Sequence, residues 1–296
     1  MVSPGATTHF GNLPLSSAIK VNGYSLPIQR AQLEYLSQPR WKCLPLMNEG
    51  ETPDMLSQLV LSFRKTAQAM IANGIPADKV LCNDGLAVDL LFRDRRPDDL
   101  HTVSTFACEL NKSYRPQSLV VQLGSVQAVG SFMRWLIAPS PETYASIPDY
   151  CRPLPSQLLI PHSIGIDLIL FPEARESLIT LRRDWVSNVT ANTARYNWPY
   201  SDEECTTVTF EHHADGPKPS IRLSKAFRDH MQDSQHFSID VAMLREFPEF
   251  EGKIRLHDAD GKPMNRGQHP TATDDINVEL RDGENETPSV TSGSDG

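Results

Sequence analysis

The longest amphipathic pattern in the chain begins near Thr52. Thr52 is placed to cap a helix, Pro53 suits the first helical position, and Asp54 suits the positive end of the helix dipole. Gly74 is placed to end the helix. Apolar residues recur between these limits at intervals of three and four, which predicts a helix with one face in a core: Leu56, Leu59, Val60, Phe63, Ala67, Met70 and Ile71.

A second long helix is predicted over residues 116–136 and is ended by Pro139. Polar residues interrupt its apolar pattern, so it is not a membrane span. Gly124 and Gly130 weaken the helix and therefore predict that a neighbour packs closely against it. The apolar face is long enough to require a partner helix: Leu119, Leu123, Val126, Val129, Phe132, Met133 and Leu136.

The remaining patterns are shorter. Residues 26–36 predict a short helix, and residues 78–92 predict a helix that is interrupted near Gly85. Residues 188–220 have no sustained apolar period and are predicted to form loops.

The middle of the chain contains a run of Ile and Leu residues that is broken by helix-unfavourable positions. Over residues 158–170, Pro161 and Gly165 favour a buried extended segment over a helix. Pro172 then suits the start of a helix. A last helix is predicted near residues 238–248, where apolar residues precede a proline.

These elements predict a mostly α fold: a single helical domain with short extended segments. Residues 1–25 are predicted to be an irregular N-terminal arm, residues 26–256 the helical domain, and residues 257–296 a disordered acidic C-terminal tail. The tail holds nine acidic and three basic residues, so it carries −6 of the formal charge of −9. It has too little apolar surface to offset the entropy lost on ordering.

The charge pattern argues against direct binding of nucleic acid. Outside the tail the chain is nearly neutral, and its densest basic run, residues 93–96, is interleaved with and followed by aspartates. A protein that grips DNA by itself needs a clustered basic face to displace counterions from the phosphates. We therefore expect no DNA binding by this chain alone.

The lack of a secretory signal and the pattern of cysteines favour an intracellular protein in the nucleus or the cytoplasm. The N-terminal residues lack the pattern of a secretory signal, and no apolar run is long enough to span a membrane. The five cysteines are scattered and have no C-x-x-C pair. Buried thiols in a reducing compartment are the simplest interpretation.

No catalytic, cofactor or metal motif is present, so we predict no catalytic residues, no cofactor and no metal ligands. The adjacent pair His212–His213 lacks further ligands at a suitable spacing. His162, Asp167 and Arg175 could serve as base, orienting acid and anion clamp. The favoured interpretation is structural: His162 and Asp167 satisfy backbone groups around a bent segment, while Arg175 pairs with a buried acid or carbonyl.

An unusual ordered set of residues lies between 152 and 179. It reads Arg-Pro-x-Pro-x-Gln-Leu, then Pro-His, then Ile-Asp-Leu-Ile-x-Phe-Pro, and then an Arg followed by Leu-Ile. This set resembles the signature of a fungal domain of unknown function that usually follows the basic leucine zipper of fungal transcription regulators. The likeness covers roughly residues 53–256, and these are the signature residues, structural or binding: Arg152, Pro153, Gln157, Pro161, His162, Asp167, Phe171, Pro172 and Arg175.

Two features depart from the family pattern. The family often has a second His or an aromatic residue after Pro-His, where this chain has Ser163 and Gly165. Residues 1–51 contain neither a basic region nor a heptad zipper. The resemblance implies a nuclear regulatory context without the part that contacts DNA, and it carries over no catalytic residue.

The favoured hypothesis is therefore a regulator or co-regulator of transcription, for example of a secondary-metabolite gene cluster, that acts through a protein partner such as a basic-zipper regulator. The alternative is an enzyme or small-molecule-binding protein with a pocket near His162 and Arg175, in which case a small-molecule ligand is expected. A third hypothesis is a degenerate paralogue without activity. None of the three involves a membrane.

Overall fold

Helices form most of the regular structure. The computed structural model describes residues 26–47, 54–113, 118–183, 193–213, 216–258 and 261–264. Its helices, in chain order, are α1 Leu26–Ser37, α2 Met55–Ala72, α3 Ala77–Leu81, α4 Val103–Ser113, α5 Leu119–Ile137, α6 Pro141–Ala145, α7 Pro155–Leu159, α8 Ile164–Asp167, α9 Pro172–Thr180 and α10 Lys225–His230. Short 3-10 turns lie between them at Arg40–Lys42, Asp89–Leu91, Asp149–Cys151, Asp202–Cys205, Ser234–His236, Val241–Arg245 and Pro248–Phe250.

Five short strands complete the described structure, so the fold is mostly but not purely helical. The strands are β1 Ala194–Tyr196, β2 Thr206–His213, β3 Gly216–Leu223, β4 Phe237–Asp240 and β5 Leu256–His257. Strand β4 lies between β1 and β5, antiparallel to β1 and parallel to β5. Strands β2 and β3 form a separate antiparallel hairpin.

Helix α2 confirms the first amphipathic pattern. Asp54 is its N-cap, and its carboxylate accepts a hydrogen bond from the Ser57 backbone N–H at 2.9 Å. The predicted capping positions 52 and 53 lie outside the described residues. Leu59 was predicted in the core but is 48 % exposed, because it lies at the margin of the buried stripe. The buried residues of the stripe are Leu56, Val60, Phe63 and Ala67.

Helix α5 lies at the centre of the core and confirms the second pattern. Ser118 caps it by accepting from the Val121 N–H at 3.3 Å. Helices α2 and α4 both pack against it, and nearly its whole circumference is buried. Helix α4 was missed in the sequence, although buried Val103, Phe106, Ala107 and Leu110 do follow a helical spacing.

The predicted close approach to the glycines of α5 is confirmed. A Cβ placed on Gly130 would lie 2.5 Å from Leu86 Cδ1, and one placed on Gly124 would lie 2.8 Å from the Tyr196 ring. Both neighbours can reach the helix only because these two positions carry no side chain.

We expect Gly130→Ala to lower the free energy of unfolding by about 1–2 kcal/mol. Alanine favours the helix by about 1 kcal/mol, but overpacking against the buried Leu86 costs more. Chemical denaturation of Gly130→Ala, Leu86→Ala and the double variant measures both terms. The double variant should be less destabilised than the sum of the single variants, and a stabilised Gly130→Ala protein would contradict the close packing.

Three local predictions were wrong. Residues 158–170 form parts of two short helices, α7 and α8, because Pro155 starts the first and the Ser163 side chain caps the second, accepting from Gly165 N–H at 3.2 Å. The predicted loop over 188–220 contains β1, β2 and most of β3. The predicted helix near 238–248 is strand β4 followed by 3-10 turns; its apolar residues at intervals of four resemble a helical pattern.

The elements share one large apolar core that extends from Met47 to Ile254. No helix among the described residues combines the length and the apolar character needed to cross a membrane. At the C-terminal end, His257 is buried and the Met264 N–H donates to the Leu256 carbonyl at 3.0 Å. Residues 1–25 and 265–296 are outside the described part.

Candidate functional site

The family-signature residues meet where α7, α8 and α9 pack together. Four of their polar side chains are almost completely inaccessible: Gln157 and Arg175 are 0 % exposed, Asp167 is 3 % exposed and His162 is 6 % exposed. Burial of so many polar groups is stable only if they bond to one another or to the backbone.

Arg175 lies at the centre of this cluster. Its Nε donates to the Gln157 side-chain oxygen at 3.1 Å, and its two terminal nitrogens donate to the carbonyls of Ile169 at 2.7 Å and Arg152 at 2.9 Å. Burial lowers the pKa of Arg175. Of the two partners predicted for Arg175, an acid or a carbonyl, the structure shows carbonyls, together with the Gln157 side-chain oxygen.

Gln157 connects Arg175 to Asp167. Its oxygen also accepts from the Leu154 N–H at 2.9 Å, and its amide nitrogen donates to Asp167 Oδ1. The side chain thereby closes the first turn of α7 while it bridges to α8. Gln157 was predicted only as a signature residue, structural or binding, since the spacing of a glutamine in sequence does not reveal contacts between separate helices.

His162 and Asp167 form a buried ion pair. His162 Nε2 lies 3.0 Å from Asp167 Oδ1, and Nδ1 lies 2.7 Å from the Ile160 carbonyl. Both neighbours are acceptors, so both ring nitrogens donate and the ring is an imidazolium. Burial alone would lower the pKa of His162, but the Asp167 charge and the two hydrogen bonds outweigh it, and the pKa is raised.

One acceptor in the cluster is left over. Asp167 Oδ2 is buried and has no hydrogen-bond partner among the described residues. The predicted role of Asp167, to satisfy backbone groups, was wrong in detail, because its bonded oxygen accepts from two side chains instead. His162 does satisfy a backbone carbonyl, as predicted.

The other signature residues define the ends of the segment. Arg152 contributes its carbonyl to Arg175, while its guanidinium pairs with Asp149 at 2.5 Å. Pro153 is buried, whereas Pro161 is exposed in the turn between α7 and α8. Phe171 is the N-cap residue of α9 and Pro172 its first residue.

The segment is also tied to distant parts of the chain. The Leu46 N–H donates to the Gln157 carbonyl at 2.8 Å, and the His162 N–H donates to the Leu46 carbonyl at 3.2 Å. Ile164 N–H donates to the Ser57 side chain on α2 at 3.2 Å. Leu46 and Ser57 were not predicted as partners, because backbone contacts across more than a hundred residues leave no local sequence signal.

The arrangement holds backbone in place and does not present a reactive group to solvent. The His162 and Asp167 side chains are 3 % and 0 % exposed, so bulk water does not reach the ion pair in this conformation. Cys151 is buried near Arg175, and burial raises the pKa of its thiol to about 12 in spite of the guanidinium charge.

The paired histidines lie elsewhere. His212 and His213 end strand β2, and their side chains are outside the described part of the structure. Within the described ranges, no group of three or more His, Cys, Asp or Glu side chains is arranged to hold a metal ion.

The ion pair makes stability depend on pH. Because the pKa of His162 is raised above its unfolded value, its stabilisation is complete below about pH 6.5 and is lost as pH rises through the folded-state pKa. We expect the difference in unfolding free energy between the wild-type protein and His162→Gln to shrink over that range. Urea unfolding at several pH values measures it.

His236→Gln provides a control of opposite sign. Burial, followed by the neighbouring His230, lowers the pKa of His236, so the wild-type side chain gains relative stability as pH rises. A His162→Gln difference that stayed constant or grew with pH would contradict the buried imidazolium.

Comparison with models of known protein families gives a match over part of the chain. Residues 130–258 match the family model described as Domain of unknown function (DUF3425). No curated protein and no solved structure matches the chain. The match includes the whole signature segment and confirms the family resemblance, although it begins inside α5 and not near residue 53. Helices α2 and α4 lie outside the match but share its core. Over residues 130–258 this chain is therefore similar to the DUF3425 family, a domain of unknown function.

Proposed function

We propose that this protein is a regulator or co-regulator of transcription that acts in the nucleus through protein contacts. The observation that carries the proposal is the nearly complete burial of the four polar signature side chains, Gln157, His162, Asp167 and Arg175. A segment whose polar groups bond to each other and to the backbone is a scaffold, so activity resides on the surface that it supports. The resemblance to domains that follow basic zippers adds the regulatory context.

The surface charges support a role without direct DNA contact. Arg93 binds Asp99 through two hydrogen bonds of 2.6 and 2.8 Å, and this lowers the pKa of Asp99 to about 2. Arg95 lies 3.6 Å from Glu109. The densest basic run of the sequence is thus neutralised by acids of the same chain and is not available as a phosphate-binding face.

We expect the purified protein to bind duplex DNA without sequence preference and only weakly, because acids of the same chain pair with Arg93 and Arg95 in its densest basic run. Titration of labelled duplexes at low and moderate salt measures affinity and its salt dependence. A shift that persisted at moderate salt and preferred one sequence would contradict a role through protein contacts alone.

The proposed function is tested by tethering. The chain is fused to an unrelated DNA-binding domain, and the output of a reporter with the matching site is compared with that of the DNA-binding domain alone. We expect reporter output to change, and a basic-zipper protein to co-purify with the tagged chain from native extract. The fusion with Arg95→Ala should behave like wild type. An expressed, folded fusion that leaves the reporter unchanged would count against the proposal.

The target genes proposed are those of a secondary-metabolite cluster, on the resemblance alone. Transcript profiling after deletion of the gene tests that part separately. If deletion changed the expression only of genes outside any secondary-metabolite cluster, such a cluster would be rejected as the target, and the proposed regulatory role would remain.

A second candidate has one observation in its favour. The unpartnered Asp167 Oδ2, close to His162, is the kind of buried acceptor that a small ligand with a donor group could satisfy. An enzyme or small-molecule-binding protein would then use the neighbourhood of His162 and Arg175. Substitutions that separate this candidate from the scaffold are described in the Discussion.

A further inference from the structure

The two edges of the β2–β3 hairpin differ. Ile221 uses both backbone groups on the side away from β2: its N–H donates to the Asp89 carboxylate at 2.8 Å, and its carbonyl accepts from the Val88 N–H at 2.7 Å. Backbone direction alternates along a strand, so Pro217 and Pro219 face the same way and have no N–H to offer. The outer edge of β3 is therefore closed to further strands.

Within the described part of the chain, the outer edge of β2 has none of these protections. Val208 pairs with Ile221, and Phe210 pairs with Pro219. Because the backbone groups of Ile221 point away from β2, those of Val208 point away from β3, and those of Phe210 do the same two residues later. Among the described residues, no strand other than β3 pairs with β2.

The residues at this open edge are apolar and exposed. Val208 is 59 % exposed and Phe210 is 67 % exposed, on the same face of the hairpin. Proteins usually protect an edge strand with proline, lysine, a bulge or a covering segment. This hairpin protects one edge and leaves apolar side chains on the other, which indicates that the open edge is used for pairing.

We propose that β2 pairs antiparallel with β2 of a second copy of this chain, forming a four-stranded sheet across a twofold axis at Thr209. In this register Val208 of each copy lies opposite Phe210 of the other. An aromatic residue opposite a β-branched residue is a favourable cross-strand pair. Glu211 aligns with Thr207, so no two acidic residues meet across the axis.

The closed edge of β3 determines the size of the assembly. Each copy has one edge that can pair and one that cannot, so the four-stranded sheet has closed edges on both sides. A twofold, isologous contact therefore ends at a dimer and does not extend into a fibre. This explains how the chain tolerates an apolar edge strand, and it is independent of the proposed role in transcription.

Sedimentation equilibrium over about 1 to 100 μM measures the association. We expect a monomer–dimer equilibrium. Phe210→Lys should raise its dissociation constant at least about tenfold, because the substituted residue occurs twice in a twofold interface. Leu181→Lys is the matched control, since Leu181 is 57 % exposed on a different surface, after α9. It should leave the dimer unchanged. Circular dichroism of both variants checks that they fold.

Single cysteines test the register. In the proposed dimer the two Thr209 residues form a non-hydrogen-bonded pair, with Cα atoms about 4.5 Å apart, which suits a disulfide. The two Thr207 residues are about 13 Å apart along the strands. Mild oxidation should cross-link Thr209→Cys and not Thr207→Cys. Most native thiols are buried and should react slowly.

A protein that stays monomeric at all these concentrations overturns the proposal, and so does cross-linking at Thr207 in preference to Thr209. Capture of an extended peptide by a monomeric chain at this edge would likewise reject self-pairing in favour of another strand donor.

Discussion

Replacing Arg175 by alanine is expected to lower the free energy of unfolding by about 3–5 kcal/mol, because a buried acceptor left without its donor costs about 1–3 kcal/mol and three acceptors are affected. The substitution leaves the carbonyls of Arg152 and Ile169 and the Gln157 oxygen without their donor in the core. It also removes the largest fully buried polar side chain among the described residues. Urea denaturation followed by circular dichroism measures the loss.

Two further substitutions refine this result. Arg175→Lys keeps the charge but cannot reproduce three hydrogen bonds in a planar fork, so an intermediate loss is expected. Arg95→Ala is the surface control: Arg95 is 37 % exposed and lies 3.6 Å from Glu109, and pairs of this kind contribute about 0–1 kcal/mol. Equal losses for Arg175→Ala and Arg95→Ala would contradict a scaffold role.

The second large effect is expected for Asp167→Asn, which should cost about 1–3 kcal/mol. The carboxylate accepts from both Gln157 and His162 through Oδ1. Asparagine can keep one oxygen there, but its NH₂ group then occupies the buried position of Oδ2, which has no hydrogen-bond partner among the described residues. His162 loses its counter-charge as well, so the pH dependence described above should disappear with this variant.

Asp149→Asn is the matched control. Asp149 also pairs with a cation, Arg152, but its side chain is 86 % exposed, and water replaces the lost contact. We expect its unfolding free energy to stay within about 0.5 kcal/mol of wild type.

These variants also separate the scaffold from a ligand site. A scaffold requires that Asp167→Asn and Arg175→Ala lower stability in the absence of any ligand. An enzyme or small-molecule-binding site would instead give stable proteins that lose only binding or turnover. Unchanged melting of both variants, together with lost binding in a screen of small molecules, would move the assignment to the second candidate.

Elements whose pattern was long and regular could be predicted from the sequence. Helices α2 and α5 repeat their apolar positions over four or more turns. Their N-cap residues, Asp54 and Ser118, are of polar types that favour the start of a helix. The close approach at Gly130 was also predictable, because a glycine inside a helix is costly unless a neighbour needs the space.

Short elements were not predictable. Residues 155–167 hold Pro, Gly and a continuous apolar run, which suit an extended segment as well as two single-turn helices. Strand β4 and the turns after it place Ile239, Met243 and Phe247 four residues apart, and all three are buried. A helix would have the same period, and only pairing with β1 and β5 selects the strand.

The candidate site, too, was predictable from the sequence only in part. The sequence by itself determined which residues form the family signature, that the chain is mostly helical, and that its densest basic run is mixed with acids. Only the tertiary structure decided that Gln157 joins Arg175 to Asp167, that His162 is charged, and that one edge of a hairpin is open. Those facts depend on hydrogen bonds between residues far apart in the chain, and their formation is governed by packing that no local pattern encodes.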